Sequence, residues 1–180
     1  MTKRYLSDYT VVEENGKKRL VYGGTLYHAD MSASALKRAK VFFAVNALAG
    51  AALYIGMGFA GAAATRALYA GLPYALLIIP SLYTCVDAGK FLRCGGMLER
   101  MYYEGSFLHM LYWAVLAMAL SAAVFTGGIV YLLRTPELPA GEYFFTPLAL
   151  FMFASALLMF RKVRAVKSKI VGITPPENVS

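Results

Sequence analysis

Residues 41–64 read VFFAVNALAGAALYIGMGFAGAAA, an apolar stretch without a charged side chain. A helix needs about 20 apolar residues to cross the hydrocarbon core of a bilayer, so this stretch predicts a transmembrane helix. The whole chain agrees, because 59% of its 180 residues are hydrophobic and only 16% are charged. Such a composition excludes a disordered chain, and two cysteines are too few for a disulfide-stapled mini-protein.

Three further apolar stretches follow, and together the four predict an all-α integral membrane protein with four transmembrane helices. The predicted spans cover about 41–69, 72–93, 108–133 and 143–160. Residues 70–73 (AGLP) are typical of one helix ending and the next beginning. A tighter turn at Thr65-Arg66 is the alternative boundary.

The chain divides into three predicted regions. Residues 1–32 form a β-hairpin segment, residues 33–162 a four-helix transmembrane bundle, and residues 163–180 a basic tail. Between the second and third spans, residues 88–103 mix apolar and basic side chains. We predict an extension of the second helix there, a break at Gly95-Gly96 and a short interfacial helix.

Lysine and arginine are distributed unevenly over the predicted loops. With both termini on one side, only Arg66 and Arg134 of the 18 basic residues fall on the opposite side. The positive-inside rule therefore predicts that both termini are cytoplasmic, in a plasma (inner) membrane. The same uneven distribution explains the net charge of +8, which we therefore attribute to membrane topology. We expect anionic lipid headgroups on the cytoplasmic side as the counter-charge, and no nucleic acid partner.

The segment before the first span carries the pattern of a β-hairpin. Asn15-Gly16 is the strongest signal for a two-residue hairpin turn, because both residues tolerate positive φ. This turn would pair Glu14 with Lys17, Glu13 with Lys18, Val11 with Leu20, and Tyr9 with Tyr22.

The hairpin needs a partner surface, because an isolated hairpin is marginal in water. The membrane surface, the loop between the second and third spans, a second copy and another protein are all candidates. We expect the second strand to continue through Gly23-Gly24 to His28, with a bulge at the glycines. Asp30 or Ser32 would then cap the first helix.

A small residue recurs at every fourth position in the outer half of the first span. These helix-packing residues are Ala52, Gly56, Ala60 and Ala64, and Ala49 extends the same face inward. A small-xxx-small face lets another helix approach closely. That helix can belong to the same bundle or to another chain, and the pattern does not decide between them.

The middle of each predicted span lacks charged residues, which argues against a proton-coupled transporter with a membrane-embedded acid. The candidate polar site consists of Asn46, Asp87 and His109. Asp87 and His109 lie near the inner ends of the second and third spans, so they can approach each other at the cytoplasmic interface. An interfacial pair satisfied by water or backbone is the simpler interpretation.

Pro73 and Pro80 lie seven residues apart in the second span. Proline removes a backbone hydrogen bond, so both are predicted kink or hinge positions. A kinked helix can line a pore, although such kinks are ordinary in membrane bundles.

No cofactor, metal or catalytic residue is predicted. The potential metal ligands have no recognised metal-binding spacing, and no nucleotide loop or nucleophile elbow is present. These potential ligands are His28, Cys85, Cys94 and His109.

Three classes of function remain. The favoured one is a non-enzymatic membrane component that acts by assembly, as a homo-oligomer or as an accessory subunit of another membrane complex. A homo-oligomeric channel or small transporter is the first alternative. The second is a membrane enzyme that uses Asp87 and His109 at the cytoplasmic interface.

Overall fold

The fold is that of a computed structural model, which describes residues 8–14, 17–95, 97–135 and 140–173. Within these residues, four helical stretches are long and apolar enough to cross a membrane, which confirms the predicted number of such helices. They are Ala33–Phe59, Leu68–Arg93, Arg100–Arg134 and Ala140–Lys167.

The first helix, α1, spans Ala33–Phe59. Ser32 caps it as predicted, because its hydroxyl accepts a hydrogen bond from the backbone N–H of Ala35 at 3.3 Å. The helix ends at Phe59 and not near residue 69. Gly61 has a φ of +62°, a left-handed conformation that glycine adopts at little cost and that ends the helix.

A short connection joins the first two helical stretches. It contains the 3-10 helix Ala63–Arg66, which includes the alternative turn position at Thr65-Arg66. The next helix therefore begins at Leu68, earlier than predicted. A side chain at Gly71 would overlap the carbonyl oxygen of Thr65, so this glycine allows the helix to pack tightly against the connection.

The second helical stretch is interrupted at Leu77, between α2 (Leu68–Leu76) and α3 (Ile78–Arg93). Pro80 cannot donate a backbone hydrogen bond to the carbonyl four residues earlier, which accounts for a break at this point. The Leu77 carbonyl oxygen accepts hydrogen bonds from both the Ser81 backbone N–H at 3.3 Å and the Ser81 hydroxyl at 2.8 Å. Pro73 lies within α2 and Pro80 in the first turn of α3, so the two prolines flank the interruption.

The third and fourth helical stretches complete the bundle. The third consists of α4 (Arg100–Tyr102), a π-helical turn (Tyr103–Leu108) and α5 (His109–Arg134). The fourth is α6 (Ala140–Lys167).

The predicted hairpin register is confirmed. Strand β1 (Tyr9–Glu14) pairs with β2 (Lys17–Tyr22) so that Tyr9 lies opposite Tyr22 and Glu13 opposite Lys18. The rings of Tyr9 and Tyr22 meet edge to face with centroids 5.1 Å apart. The predicted turn at Asn15-Gly16 lies outside the described residues.

A second sheet departs from the prediction. β3 (Leu26–Ala29) does not extend β2 but lies at the centre of a three-stranded antiparallel sheet, between β4 (Met97–Glu99) and β5 (Ile170–Ile173). β4 lies within the segment predicted to be interfacial, and β5 lies within the predicted basic tail. The segments before the first helix, between the second and third, and after the fourth thus meet at one end of the bundle, here called the sheet end.

Two apolar clusters fill the bundle. Near the sheet end, Phe43, Phe91 and Phe107 are almost fully buried, with ring centroids 5.3–6.3 Å apart. The second cluster lies toward the opposite end and includes Met57 and Phe145. Burial of large rings between four helices holds the sheet-end residues in fixed positions.

Candidate functional site

A cavity of about 840 Å³ lies at the sheet end, between α3, β4, the π-helical turn and the start of α5. We call it the sheet-end cavity. Its size falls within the range of small-molecule sites, about 300–1,000 Å³. Its charged and hydroxyl-bearing lining includes Asp87, Lys90, Arg93, Glu99, Ser106 and His109.

Asp87 is the most buried charged residue of this cavity, with 1% of its surface exposed. Its Oδ1 atom forms an ion pair with the Lys90 Nζ atom at 3.2 Å. Its Oδ2 atom is also buried and has no hydrogen-bond partner among the described residues. The indole N–H of Trp113 lies beside the Asp87 carboxylate, and it too is buried without a hydrogen-bond partner of standard geometry among the described residues.

The structure brings His109 to the same cavity, as its position at the start of the third predicted span suggested. His109 is exposed and begins α5, within electrostatic range of the Asp87 carboxylate. No hydrogen bond joins the two side chains in the described part of the chain. The arrangement is therefore a cavity with separate charged groups, and an acid–base dyad is not formed.

The hairpin rests on one wall of the cavity. The Tyr9 hydroxyl donates a hydrogen bond to Glu99 Oε2 at 2.7 Å, and the Tyr22 hydroxyl accepts one from the Arg100 backbone N–H at 3.0 Å. The bond to Glu99 raises the pKa of Tyr9 to about 12, and burial raises the pKa of Tyr22. Of the four candidate platforms for the hairpin, the loop between the second and third spans is thus in contact with it.

The thiol of Cys94 also lines the cavity, just beyond the end of α3. Burial raises its pKa, so the thiol stays protonated at neutral pH. The side chain of Lys40 on α1 donates a hydrogen bond to the Cys94 carbonyl oxygen, which ties the floor of the cavity to the first helix.

Asn46 lies apart from this cavity, between α1 and α6, where it also lines a recess at the outer surface of these two helices. Its amide nitrogen donates to the Ser155 carbonyl oxygen at 3.1 Å, and its amide oxygen accepts from the Ser155 hydroxyl at 3.3 Å. Beside it is a cavity of about 30 Å³, which holds one or two water molecules at most. Asn46 therefore links α1 to α6 and does not join Asp87 and His109.

The predicted small-residue stripe does not lie on one helix face. Its first part is on the surface of α1, and its last part is in the packed connection between α1 and α2. Ala49 and Ala52 are exposed on α1, and a side chain at Gly56 would lie 3.6 Å from Leu148 on α6. Ala60 and Ala64 lie beyond the end of α1, so the stripe does not continue along one helix. Ala64 is fully buried in the connection.

The exposed part of the stripe forms one side of a groove between α1 and α6, here called the α1/α6 groove. One section of about 550 Å³ is lined by Ala49 and Ala52 with Phe151 and Ala154. A second section of about 420 Å³ lies toward the opposite end and is lined by Gly56 and Ala60 with Phe144. Leu148 borders both sections, so they adjoin each other.

A buried acid was missed by the sequence analysis. Glu142, in the first turn of α6, is 0% exposed, and its Oε1 atom accepts a hydrogen bond from the Ala64 backbone N–H at 2.7 Å. Its position just before the predicted fourth span gave no signal of burial. The bond joins α6 to the connection after α1, at the end opposite the sheet.

Comparison with known proteins finds no matching family model, no matching curated protein and no matching solved structure.

Proposed function

We propose that the protein is a non-enzymatic membrane component that acts by assembly, and that the α1/α6 groove of one copy packs against the same groove of a second copy. The main support for this proposal is that Ala49 and Ala52 are exposed between bulky neighbours. Leu48 and Phe151, on either side, are 66% and 62% exposed. Small residues between large ones form a recess into which a helix ridge fits.

We choose this face over the rest of the apolar surface because its small residues allow a second helix to approach closely. Lipid tails are as apolar as leucine, so an apolar helix face alone does not drive association in a bilayer. Van der Waals contact between closely packed backbones does, and alanine permits it. A twofold arrangement places Ala52 of one copy against Ala52 of the other, which is the usual symmetry of a homodimer.

The experiment compares two leucine substitutions. Ala52→Leu fills the groove, whereas Ala123→Leu adds the same volume to an exposed alanine on α5, away from it. Both sites are exposed, so neither change disturbs the core. We expect the wild type and Ala123→Leu to have the native mass of a dimer after gentle extraction. We expect at least about tenfold weaker dimerisation in Ala52→Leu.

Identification of every co-purifying chain completes the test. A stoichiometric foreign subunit that is lost only in Ala52→Leu would make the protein an accessory subunit that uses the same groove. An Ala52→Leu protein with the wild-type mass and partners would remove the groove from the proposal.

The alternative of a homo-oligomeric channel or small transporter receives no support from a pathway within one copy. The central cavity near Asn46 has a volume of about 30 Å³, and its lining combines alanine and methionine with the polar side chains of Ser81, Thr84 and Ser155. A channel would thus have to form between copies. Leu77, at the helix interruption, is fully buried in the apolar cluster that contains Val124 of α5 and Phe145 of α6, so the interruption does not by itself favour that arrangement.

A further inference from the structure

The sheet-end cavity contains a buried acceptor atom with no hydrogen-bond partner among the described residues. Oδ2 of Asp87 is shielded from solvent, while Oδ1 of the same carboxylate is paired with Lys90. A buried carboxylate oxygen without a hydrogen bond is costly, so such atoms are usually satisfied in the functional state. A ligand with a charged N–H donor would supply the missing bond.

The same cavity offers basic groups for an anion. Lys90 and Arg93 occupy the last turn of α3, and the Lys90 side chain is 48% exposed. In the described part of the chain, Arg93 forms no ion pair. The other carboxylate of the lining, Glu99, already accepts a hydrogen bond from Tyr9. The cavity thus has one unsatisfied carboxylate oxygen deep inside and two cationic side chains nearer its mouth.

The cavity borders an exposed apolar surface. Tyr83 lines it and is 52% exposed, and its ring stacks on Trp113 with centroids 4.7 Å apart. On the same two helices, Leu82 and Tyr112 are also exposed. The surface suits acyl chains, whereas the adjoining cavity suits a polar headgroup.

We propose that the sheet-end cavity binds the ammonium–phosphate group of an amine-bearing phospholipid of the phosphatidylethanolamine class. The Asp87 carboxylate turns to present Oδ2 to the cavity, where the primary ammonium donates a hydrogen bond to it, and Lys90 and Arg93 bind the phosphate. A trimethylammonium group has no N–H, so a choline headgroup cannot make the bond to Asp87. The site therefore distinguishes two zwitterionic lipids of equal net charge.

Trp113 gives a direct readout, because it is the single tryptophan of the chain and stacks on the cavity residue Tyr83. The purified full chain, in mixed micelles, is titrated with phosphatidylethanolamine or phosphatidylcholine brominated on the acyl chains. We expect half-maximal quenching of Trp113 fluorescence at about tenfold lower mole fraction of the ethanolamine lipid, as one charge-assisted hydrogen bond provides.

Two substitutions separate the contributions of the two charges. Asp87→Asn should remove the preference for the ethanolamine lipid, whereas Arg93→Gln should weaken quenching by both lipids because both carry a phosphate. Arg93 is exposed at a helix end, so this variant remains informative even where Asp87→Asn does not fold. The control is Asp30→Asn, which removes an exposed carboxylate from the same end of the molecule and should leave both titrations unchanged.

A competition experiment identifies the source of the headgroup. Release of the quenching by millimolar phosphoethanolamine would show that the soluble headgroup suffices. Persistent quenching with the ethanolamine preference would show that the acyl chains contribute, as the apolar surface beside the cavity predicts. Equal quenching by the two lipids in the wild type, or an unchanged preference in a folded Asp87→Asn variant, would overturn the proposal.

Discussion

Two buried carboxyl groups, Asp87 and Glu142, lie at opposite ends of the bundle. Each has one oxygen in a hydrogen bond or ion pair and one buried oxygen without a partner among the described residues. Their surroundings differ, because Asp87 faces a cavity whereas Glu142 is enclosed between helix ends. The first is thus suited to binding, and the second to holding the fold together.

Substitution of Glu142 tests this structural role. Glu142→Leu leaves the buried Ala64 N–H without an acceptor, and we expect a loss of about 1–3 kcal/mol in unfolding free energy. Glu142→Gln keeps a side-chain oxygen for that N–H and should be close to the wild type. Thermal or denaturant unfolding in one detergent measures both. A leucine variant as stable as the glutamine variant would show that the Ala64 bond contributes little.

At the scale of single elements, local signals predicted local structure well. The hairpin register followed from a two-residue turn and the charge pairs beside it, and the Ser32 cap followed from residue type. The predicted end of α1 was wrong, because the alanine-rich sequence after Phe59 continues the apolar pattern and gives no signal for a helix end. Only the backbone conformation of Gly61 ends the helix there.

The docking of the hairpin should depend on pH. The folded protein raises the pKa of Tyr9 to about 12 from an ordinary 10.0, so docking benefits from the protonated phenol below pH 10 and loses that benefit as the pH approaches 12. A spin label on a cysteine replacing the exposed Val11, with Cys85 and Cys94 changed to serine, should become more mobile over this range.

Two tyrosine variants control for other groups that titrate at high pH. In Tyr9→Phe the bond to Glu99 is absent, so the label should be mobile already at pH 8. Tyr112→Phe removes an exposed tyrosine elsewhere and should behave as the wild type. A label that stays immobile in Tyr9→Phe would mean that the hairpin is held by other contacts.

At the scale of the whole molecule, the three-stranded sheet could not be predicted from sequence. β3 pairs with segments about 70 and 140 residues away, and strands of three or four residues carry little periodicity of their own. The proximity of Asp87 and His109 followed from their places at neighbouring ends of the second and third predicted spans. The sheet-end cavity did not, because β4 forms part of its lining.

The sheet has a consequence for membrane sidedness. We expect cysteines introduced at Ser34 and Ser168, both exposed at the sheet end, to react with a membrane-impermeant maleimide from the same side. A cysteine at Arg66 should react only from the other side. The measurement uses oriented vesicles and the variant without native cysteines. The distribution of basic residues predicts that the sheet side is cytoplasmic. Labelling of the cysteines at positions 34 and 168 from different sides would contradict the placement of both positions at the sheet end.

The order in which the strands are made gives this sheet a further property. β3 is synthesised before any of the four helices, β4 after two of them and β5 after all four. If the helices cross a bilayer as we propose, each later strand reaches β3 only when an even number of crossings precedes it. A helix that fails to insert leaves an edge of β3 unpaired, and open edges attract other strands. On that topology, the complete sheet forms only when the helices before β4 and β5 have crossed the membrane in even number. Pairing of the last strand, β5, then marks the end of insertion of the whole chain.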